Sequence, residues 1–332
     1  MATIADVARR AGVAPSTVSY VLTKRRSISS TTRRAVEKAI RDLDYRPHAG
    51  ARALRGARTR VLALSFPQEA TPYHSIGGRF IYHVSNAART HDYDVLLLAA
   101  EQNVSDLSRV AGSRLADGVV LMSVLTDDLR IPALRKLRFP ASILGYPRDA
   151  GGLPWCDYDF EGAAALAVQE LVRAGHRSLA FVGSTDREFR SGLNYAPRAV
   201  AGARTAAREA GVRLTVTRSS PSLRTLVRRT RALLATDPAP TAVIVHHQVP
   251  ALPGILRQEG FTVPRDLSYV VIGATPDLAS ELPLARSDLP VQEMTAAAVE
   301  SALSVVEGGT PGGRLIPARW TRGQSIVPPS TR

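Results

Sequence analysis

Residues 3–22 read TIADVARRAGVAPSTVSYVL, and their spacing leaves few folds open. Ile4, Val7 and Ala8 recur at i, i+3 and i+4, the period of a helix with one buried face. Ala11-Gly12-Val13 breaks that period, and Gly12 lacks the Cβ that opposes a positive φ. Pro15 suits the first turn of a second helix, where Val18, Val21 and Leu22 form an apolar side and Ser16, Thr17 and Ser19 supply short polar side chains. Two short helices joined by a tight turn, the second offering small hydrogen-bonding groups, have the shape that enters the major groove of DNA.

A third helix is expected over Ser30–Leu43, capped by Ser29, Ser30 or Thr31, with Val36, Ala39, Ile40 and Leu43 as its stripe and Tyr45 and Pro47 ending it. Val7, Val18, Val21, Val36 and Ile40 then make a miniature core. Charge coincides with this segment. Residues 1–58 hold thirteen Lys/Arg and four acids, a net +9 out of the chain's +14. A basic head on a less charged body is the electrostatic footprint of a nucleic-acid binder.

From Arg60 the pattern changes to alternating apolar strands and amphipathic helices. Strands are expected over 61–66, 94–99, 118–122, 141–144, 178–182, 213–217, 242–245 and 268–272. Helices fall between them over 76–91, 107–116, 128–137, 160–174, 198–210, 222–235 and 251–259. Repeated βα units argue parallel sheets covered on both faces, and two sets in tandem argue two lobes. A length of 332 residues fits a small domain joined to a large one. No apolar run is long enough for a bilayer, no hydrophobic leader opens the chain, and the single cysteine, Cys156, fits a reducing compartment; a cytoplasmic protein without membrane attachment is expected.

Thr3-Ile4-Ala5-Asp6-Val7-Ala8, Ala11-Gly12-Val13 and Ser16-Thr17-Val18-Ser19 resemble the helix-turn-helix signature of the lactose-repressor/galactose-repressor (LacI/GalR) family of bacterial transcription regulators. Ser29-Ser30-Thr31-Thr32-Arg33 and Leu43-Asp44-Tyr45-Arg46-Pro47 continue the likeness, and a weaker one covers the rest. The resemblance implies an α/β protein with an N-terminal three-helix DNA-binding domain (1–47), a hinge (48–58) and a periplasmic-binding-protein-like, two-lobed sensor (59–332). Lobe one would comprise about 60–157 and 288–307. Lobe two would comprise about 158–285 and 316–328, the tail containing Ile316 to Val327 joining it.

The same resemblance implies the sites. Pro15, Ser16 and Tyr20 occupy the family's base-reading positions, Tyr20 replacing a frequent arginine and so trading a bidentate guanine contact for one hydroxyl and a flat ring. Thr3, Thr17, Ser19, Thr23, Ser29 and Thr32 match its backbone contacts. Leu54 matches a hinge leucine that wedges into the minor groove, with Ala51, Arg52 and Arg55 beside it. The implied partners are double-stranded operator DNA of pseudo-palindromic form, a second copy of the chain in a homodimer, and a small-molecule effector.

Candidate effector-binding residues are Tyr73, Met122, Ser123, Asp157, Arg198, His247, Gln248 and Thr275. Here the chain departs from its relatives. Ala199 stands where an arginine is common, His246-His247-Gln248-Val249 where Asn-Asp is common, and Ala274-Thr275 where an aspartate often follows the glycine. These changes argue against a standard sugar pocket.

Catalysis, cofactors and metals find no support. His246-His247 with His74, His83 and His91 lacks metal-ligand spacing, Ser184, Asp186 and His176 lack a nucleophile elbow, and Gly77-Gly78 lacks a phosphate-loop pattern. The leading expectation is a repressor modulated by a small molecule. The alternatives are an architectural DNA binder blind to ligands, and an enzyme or free ligand-binding protein on the same body.

Overall fold

The computed structural model describes residues 2–23, 28–45, 58–66, 74–99, 104–247, 249–275 and 282–329. The side chains of Thr23, His74 and Ser75 are outside the description. The chain divides into two compact units, Met1–Thr59 and Arg60–Arg332.

The first unit contains α1 (Ile4–Ala11), α2 (Pro15–Thr23) and α3 (Ser30–Asp42). Local chemistry sets each boundary. Thr3 and Asp6 form a reciprocal capping box at the start of α1, and Gly12 ends that helix at φ +66°. Ser29 caps α3 by accepting the Thr32 amide at 3.1 Å. Val7, Val18 and Val36 are fully buried at the centre, Ala8, Ala39 and Tyr45 close around them, and Ile4, Val21 and Ile40 pack on partly buried. The sequence's miniature core is present, with Tyr45 as an added member rather than a mere helix stop.

The second unit holds two six-stranded sheets. In chain order the elements of the first sheet and its helices are β1 (Val61–Ser65), α4 (His74–Arg89), β2 (Asp94–Leu98), α5 (Val104–Gly112), β3 (Gly118–Leu121), α6 (Arg130–Leu137), β4 (Ala141–Leu144) and β5 (Trp155–Tyr158). After the crossing come α7 (Phe160–Arg173), β6 (Ser178–Gly183), α8 (Asp186–Arg190), α9 (Tyr195–Glu209), β7 (Arg213–Arg218), α10 (Leu223–Leu234), β8 (Ala242–His246), α11 (Leu252–Gln258), β9 (Ser268–Ala274) and β10 (Ala285–Asp288). The chain ends with α12 (Val291–Val306), β11 (Arg314–Ile316) and β12 (Trp320–Thr321).

The sheet orders are β11-β5-β4-β3-β1-β2 and β12-β10-β9-β8-β6-β7. Every pairing is parallel except β10 with β12. β3, β4, β6, β8 and β9 are buried along their whole length, as strands covered on both faces must be, and this is why they read as continuous apolar runs. No helix among the described residues is long and apolar enough to cross a membrane.

Three segments pass between the lobes: Tyr158–Phe160, Asp288–Val291 and Ile316–Trp320. They are tied together. The Ser287 hydroxyl donates to the Arg319 carbonyl at 3.0 Å, so the Tyr158 hydroxyl donates to Ser287 in a short contact, and the Asp159 amide donates to the Ile316 carbonyl at 2.9 Å. α12 returns to pack on α4, β3 and β4 of the first lobe. The tail differs from expectation at one point. Ile316 pairs with Tyr158 in the first sheet, and only from Trp320 onward does the tail join the second, where Ser325 and Val327 bond to Tyr269, Ala285 and Ser268. The strand RLI is too short to show a period of its own, so its sheet was not readable from the sequence.

Candidate functional site

In the head, α2 sorts its residues by angle. Val18 is fully buried and Thr17 and Val21 are half-buried, while Pro15, Ser16 and Tyr20 are exposed on the other side, Ser16 and Tyr20 one turn apart. Tyr20 is 38% exposed, so it is not a member of the head's core. The six residues matched to backbone contacts are less uniform. The Thr3 amide and hydroxyl both donate to Asp6, at 2.9 and 2.7 Å, so Thr3 can reach a phosphate with a proton only by releasing its cap. The Ser29 hydroxyl donates to Thr32 at 2.8 Å, which leaves the Thr32 proton to point outward. Thr17 and Ser19 are both half-buried, on either side of fully buried Val18. The Thr23 side chain and the hinge positions Ala51, Arg52, Leu54 and Arg55 lie outside the described residues.

Arg33, Arg34, Lys38 and Arg41 are exposed along α3, and Arg10 at 63% exposure pairs with Asp42 across the head. The positive charge of the head is therefore on its surface, available to phosphates.

In the body, the candidate effector residues gather at the C-terminal ends of the strands, where open α/β sheets bind ligands. Met122 and Ser123 follow β3, Asp157 lies on β5, His247 follows β8 and Thr275 follows β9. Tyr73 and Gln248 lie outside the described residues. Ser123 and His247 hold positive φ angles of 52° and 60°, as do Gly145 just after β4 and Gly273 just before the end of β9. The backbone thus makes equivalent sharp exits from both sheets.

Asp157 and Arg198 meet. The guanidinium of Arg198, on α9, donates to the Asp157 carboxylate at 2.5 Å and to Glu161 at 3.3 Å, and lies 4.8 Å from the Tyr146 ring centroid. Burial pushes the Asp157 pKa up to about 6, against the pull of Arg198. His247 donates from Nδ1 to the Gly273 carbonyl at 3.2 Å and stacks on His246 with ring centroids 4.1 Å apart. Phe160 and Tyr195 pack edge-on against this pair and lie tilted by 35° to each other. Burial lowers the pKa of both histidines, and their mutual repulsion lowers that of His246 further, so both are neutral.

Several residues of this region were not singled out as ligand contacts from the sequence. His246 bonds Ser184 at 3.1 Å through Nδ1, while its buried Nε2 has no hydrogen-bond partner among the described residues; the same holds for Asn194 Nδ2 and Ser219 Oγ. Glu188 is 2% exposed and accepts from Thr185 and from the Tyr195 hydroxyl at 2.7 Å. The doubled histidine at a strand end was the available signal. In lobe one the unforeseen residue is Arg130, fully buried at the start of α6. It pairs with Asp128 through Nε at 2.9 Å and Nη2 at 2.7 Å, and also donates to Ser65 Oγ and to the Ser65, Met122 and Ser123 carbonyls. Burial would raise the Asp128 pKa, but the Arg130 bonds outweigh it and hold the carboxyl below its usual value. Behind this pair a cavity of about 230 Å³ is lined by Thr126, Asp128, Leu129, Ile131, Arg135 and Gly151 among others.

Cys156 is buried, and burial pushes its pKa up to about 12, so the thiol is unreactive where it stands. Among the described residues no group of three or more His, Cys, Asp or Glu side chains is placed to hold a metal.

Comparison with known proteins agrees with this layout. Residues 3–48 match the family model described as bacterial regulatory proteins, lacI family, and residues 168–326 match a periplasmic binding protein-like domain. The chain is 31% identical to the HTH-type transcriptional repressor PurR of Erwinia tasmaniensis over 283 residues, covering 81% of this chain and 80% of that one. It is 29% identical to catabolite control protein A of Priestia megaterium over 278 residues, 81% of each chain. A lac repressor dimer bound to operator and the anti-inducer ONPF shares the fold at a TM-score of 0.84 and 21% identity, over 98% of this chain and 99% of that one. Like these curated relatives the protein is a DNA-binding transcription regulator and not an enzyme. With a helix-turn-helix head, a two-lobed body and a repressor 31% identical across four-fifths of both chains, it belongs to the LacI family.

Proposed function

We propose that this regulator represses transcription as a homodimer on a two-fold operator and that a small molecule enclosed by the lobes changes its affinity for DNA. The observation that carries the DNA reading is the division of α2. Val18 and Val21 anchor it, and Pro15, Ser16 and Tyr20 are the side chains it presents outward for base edges. Thr3, Thr17, Ser19, Thr23, Ser29 and Thr32 set its register on phosphates, Thr3 at the cost of its cap. Ala51, Arg52, Leu54 and Arg55 serve the minor groove in the way the family resemblance implies.

One three-helix head buries too little surface for useful specificity, so two must act together. An apolar rim supports the homodimer. Strand β2 is the open edge of the first sheet, Leu97 on it is 38% exposed, and Tyr82 on the adjacent α4 is 62% exposed. The lac repressor that shares this fold was captured as a dimer on operator.

Selection of bound duplexes from a random pool by the purified full chain tests the reading. A two-fold symmetric motif is expected, and Tyr20→Ala should relax it at one symmetric pair of positions, about 1–3 kcal/mol of discrimination. Binding that depends on charge and salt alone would sink it. For the body, thermal-shift screening against sugars, nucleosides and small acids should find a stabilising class. Asp157, Arg198, His247 and Thr275 are the residues whose substitution should abolish the shift, with Met122 and Ser123 lining the lobe-one side and Tyr73 and Gln248 completing the set.

A further inference from the structure

The cavity of about 230 Å³ in lobe one is built by two turns that leave the neighbouring strands β3 and β4. The turn from β3 into α6 supplies Asp127, Leu129, Ile131 and Pro132, and the turn after β4 supplies Asp149 and Gly151. None of the candidate effector residues lines it.

Its walls carry both signs of charge and an apolar floor. Ile131 is 3% exposed, whereas Leu129 is 73% exposed, the most exposed large hydrophobic side chain among the described residues. Arg135 is exposed, and its guanidinium makes no hydrogen bond or ion pair among the described residues. Gly151 packs against its stem. A Cβ on that glycine would lie 2.7 Å from Arg135 Cδ and 3.1 Å from Ile131 Cγ2, so the arginine is confined to the wall. Asp149 accepts the Gly151 amide at 2.7 Å through Oδ1, and its second oxygen is uncommitted. Asp127 pairs with Arg148 at 3.2 Å, but both side chains are largely in water and such a pair is worth little. Asp128, by contrast, is committed to Arg130.

Opposite charges that share a cavity without meeting fit a ligand that carries both. A simple anion would face Asp127 and Asp149, and a simple cation would face Arg135. The lining holds no aromatic ring on which a sugar or nucleobase could stack. We propose that this cavity binds a free α-amino acid with an aliphatic side chain. The carboxylate accepts from Arg135, the ammonium donates to Asp149 with Asp127 beside it, and the side chain covers Leu129 and Ile131. The size agrees, since at about 30 Å³ per water the space equals roughly eight waters, room for leucine but not for a disaccharide or a nucleotide. The site is distinct from the cleft and from the effector proposed there.

Equilibrium dialysis of the full chain against labelled L-leucine tests this. One saturable site per chain is expected. Arg135→Gln and Asp149→Asn, surface changes whose folding circular dichroism verifies, should each weaken binding about tenfold to a hundredfold, the range of a charge-assisted hydrogen bond. Ligands lacking one charge should mirror them. Leucinamide and isocaproate should compete more weakly than leucine, the amide indifferent to Arg135→Gln and the acid indifferent to Asp149→Asn. No saturable binding of L-leucine, L-valine or L-isoleucine up to millimolar concentration would overturn the site, as would binding that neither variant weakens. Leucinamide and isocaproate competing as well as leucine would overturn the two-charge chemistry. Binding lost in Arg198→Ala but retained in Arg135→Gln would put the amino acid in the cleft instead. DNA binding does not enter the measurement, so a failure of the function proposed above and a failure of this site are told apart.

Discussion

The two lobes share a strand order and differ in what fills the place where that order reverses. In the first sheet the reversal lies between β1 and β3, and the Arg130 guanidinium spans it, bonded to Ser65 on one side and to Met122 and Ser123 on the other. In the second it lies between β6 and β8, and the His246 ring sits there, bonded to Ser184. Both fillers are buried, but their hydrogen-bonding accounts are unequal. Arg130 has its donors committed within lobe one, whereas His246 Nε2 and the nearby Asn194 and Ser219 groups have capacity unused. A saturated crevice is a structural plug, and an unsaturated one is a place for recognition. On the proposed reading of the body as a sensor, ligand discrimination falls mainly to lobe two.

Arg130→Met is the strongest way to break that contrast. It leaves the Asp128 carboxylate buried without its partner and should cost about 3–5 kcal/mol of sensor stability. His246→Leu, the equivalent change in lobe two, should cost far less, since a neutral ring with one hydrogen bond is lost among aromatic neighbours. Chemical denaturation of both variants checks this, and equal losses would erase the distinction between plug and recognition site.

Acid is the next lever. His246, His247 and His176 are held below their ordinary pKa by burial, so below pH 6.5 the unfolded chain binds more protons than the folded one, and the stability present above pH 6.5 is lost as pH falls. Each can contribute at most about 2 kcal/mol between pH 7 and 5. Asp157 runs the other way. Its folded pKa of about 6 lies above 3.8, so the folded chain binds the extra proton and stability is gained as pH falls through 6. Three groups against one predict a denaturation midpoint that drops on acidification, and a shallower drop in His246→Leu. A midpoint that rises would hand the dominant share to Asp157 and move the acid-sensitive centre to the crossover.

Ser184→Ala gives the smallest of these effects. It removes the hydrogen bond to His246 Nδ1 and should cost about 1 kcal/mol, with a larger loss of ligand-induced thermal shift than of stability. A variant that loses stability alone would make the Ser184–His246 pair another structural plug, and the lobes would be alike after all.

The same division governs what the sequence reveals. Elements whose burial is continuous or periodic were legible: α1 to α3, and strands such as VVIGA and AVIVH. β5, β10, β11 and β12 were not, because WCDY, ARSD, RLI and WT are two to four residues long with polar or charged residues among them, and β11 takes its partner from a segment far away in the chain. Asp157 and Arg198 were legible as candidates, and the structure joins them although Arg198 stands one position from the usual arginine. Arg130 was invisible for a physical reason. An arginine at a helix start reads as surface charge until tertiary packing sets two strand ends and a carboxylate around it. His246 was read as a departure from the family and not as a contact, since nothing local shows that its ring turns inward.

The position of Cys156 has a practical side. It is the chain's one thiol, 1% exposed, on the strand that leads directly into the first crossing between the lobes. A thiol reagent can reach it only when that strand's packing loosens, so the rate of its modification is a clock for rare openings of the sensor. No label need be added to start it.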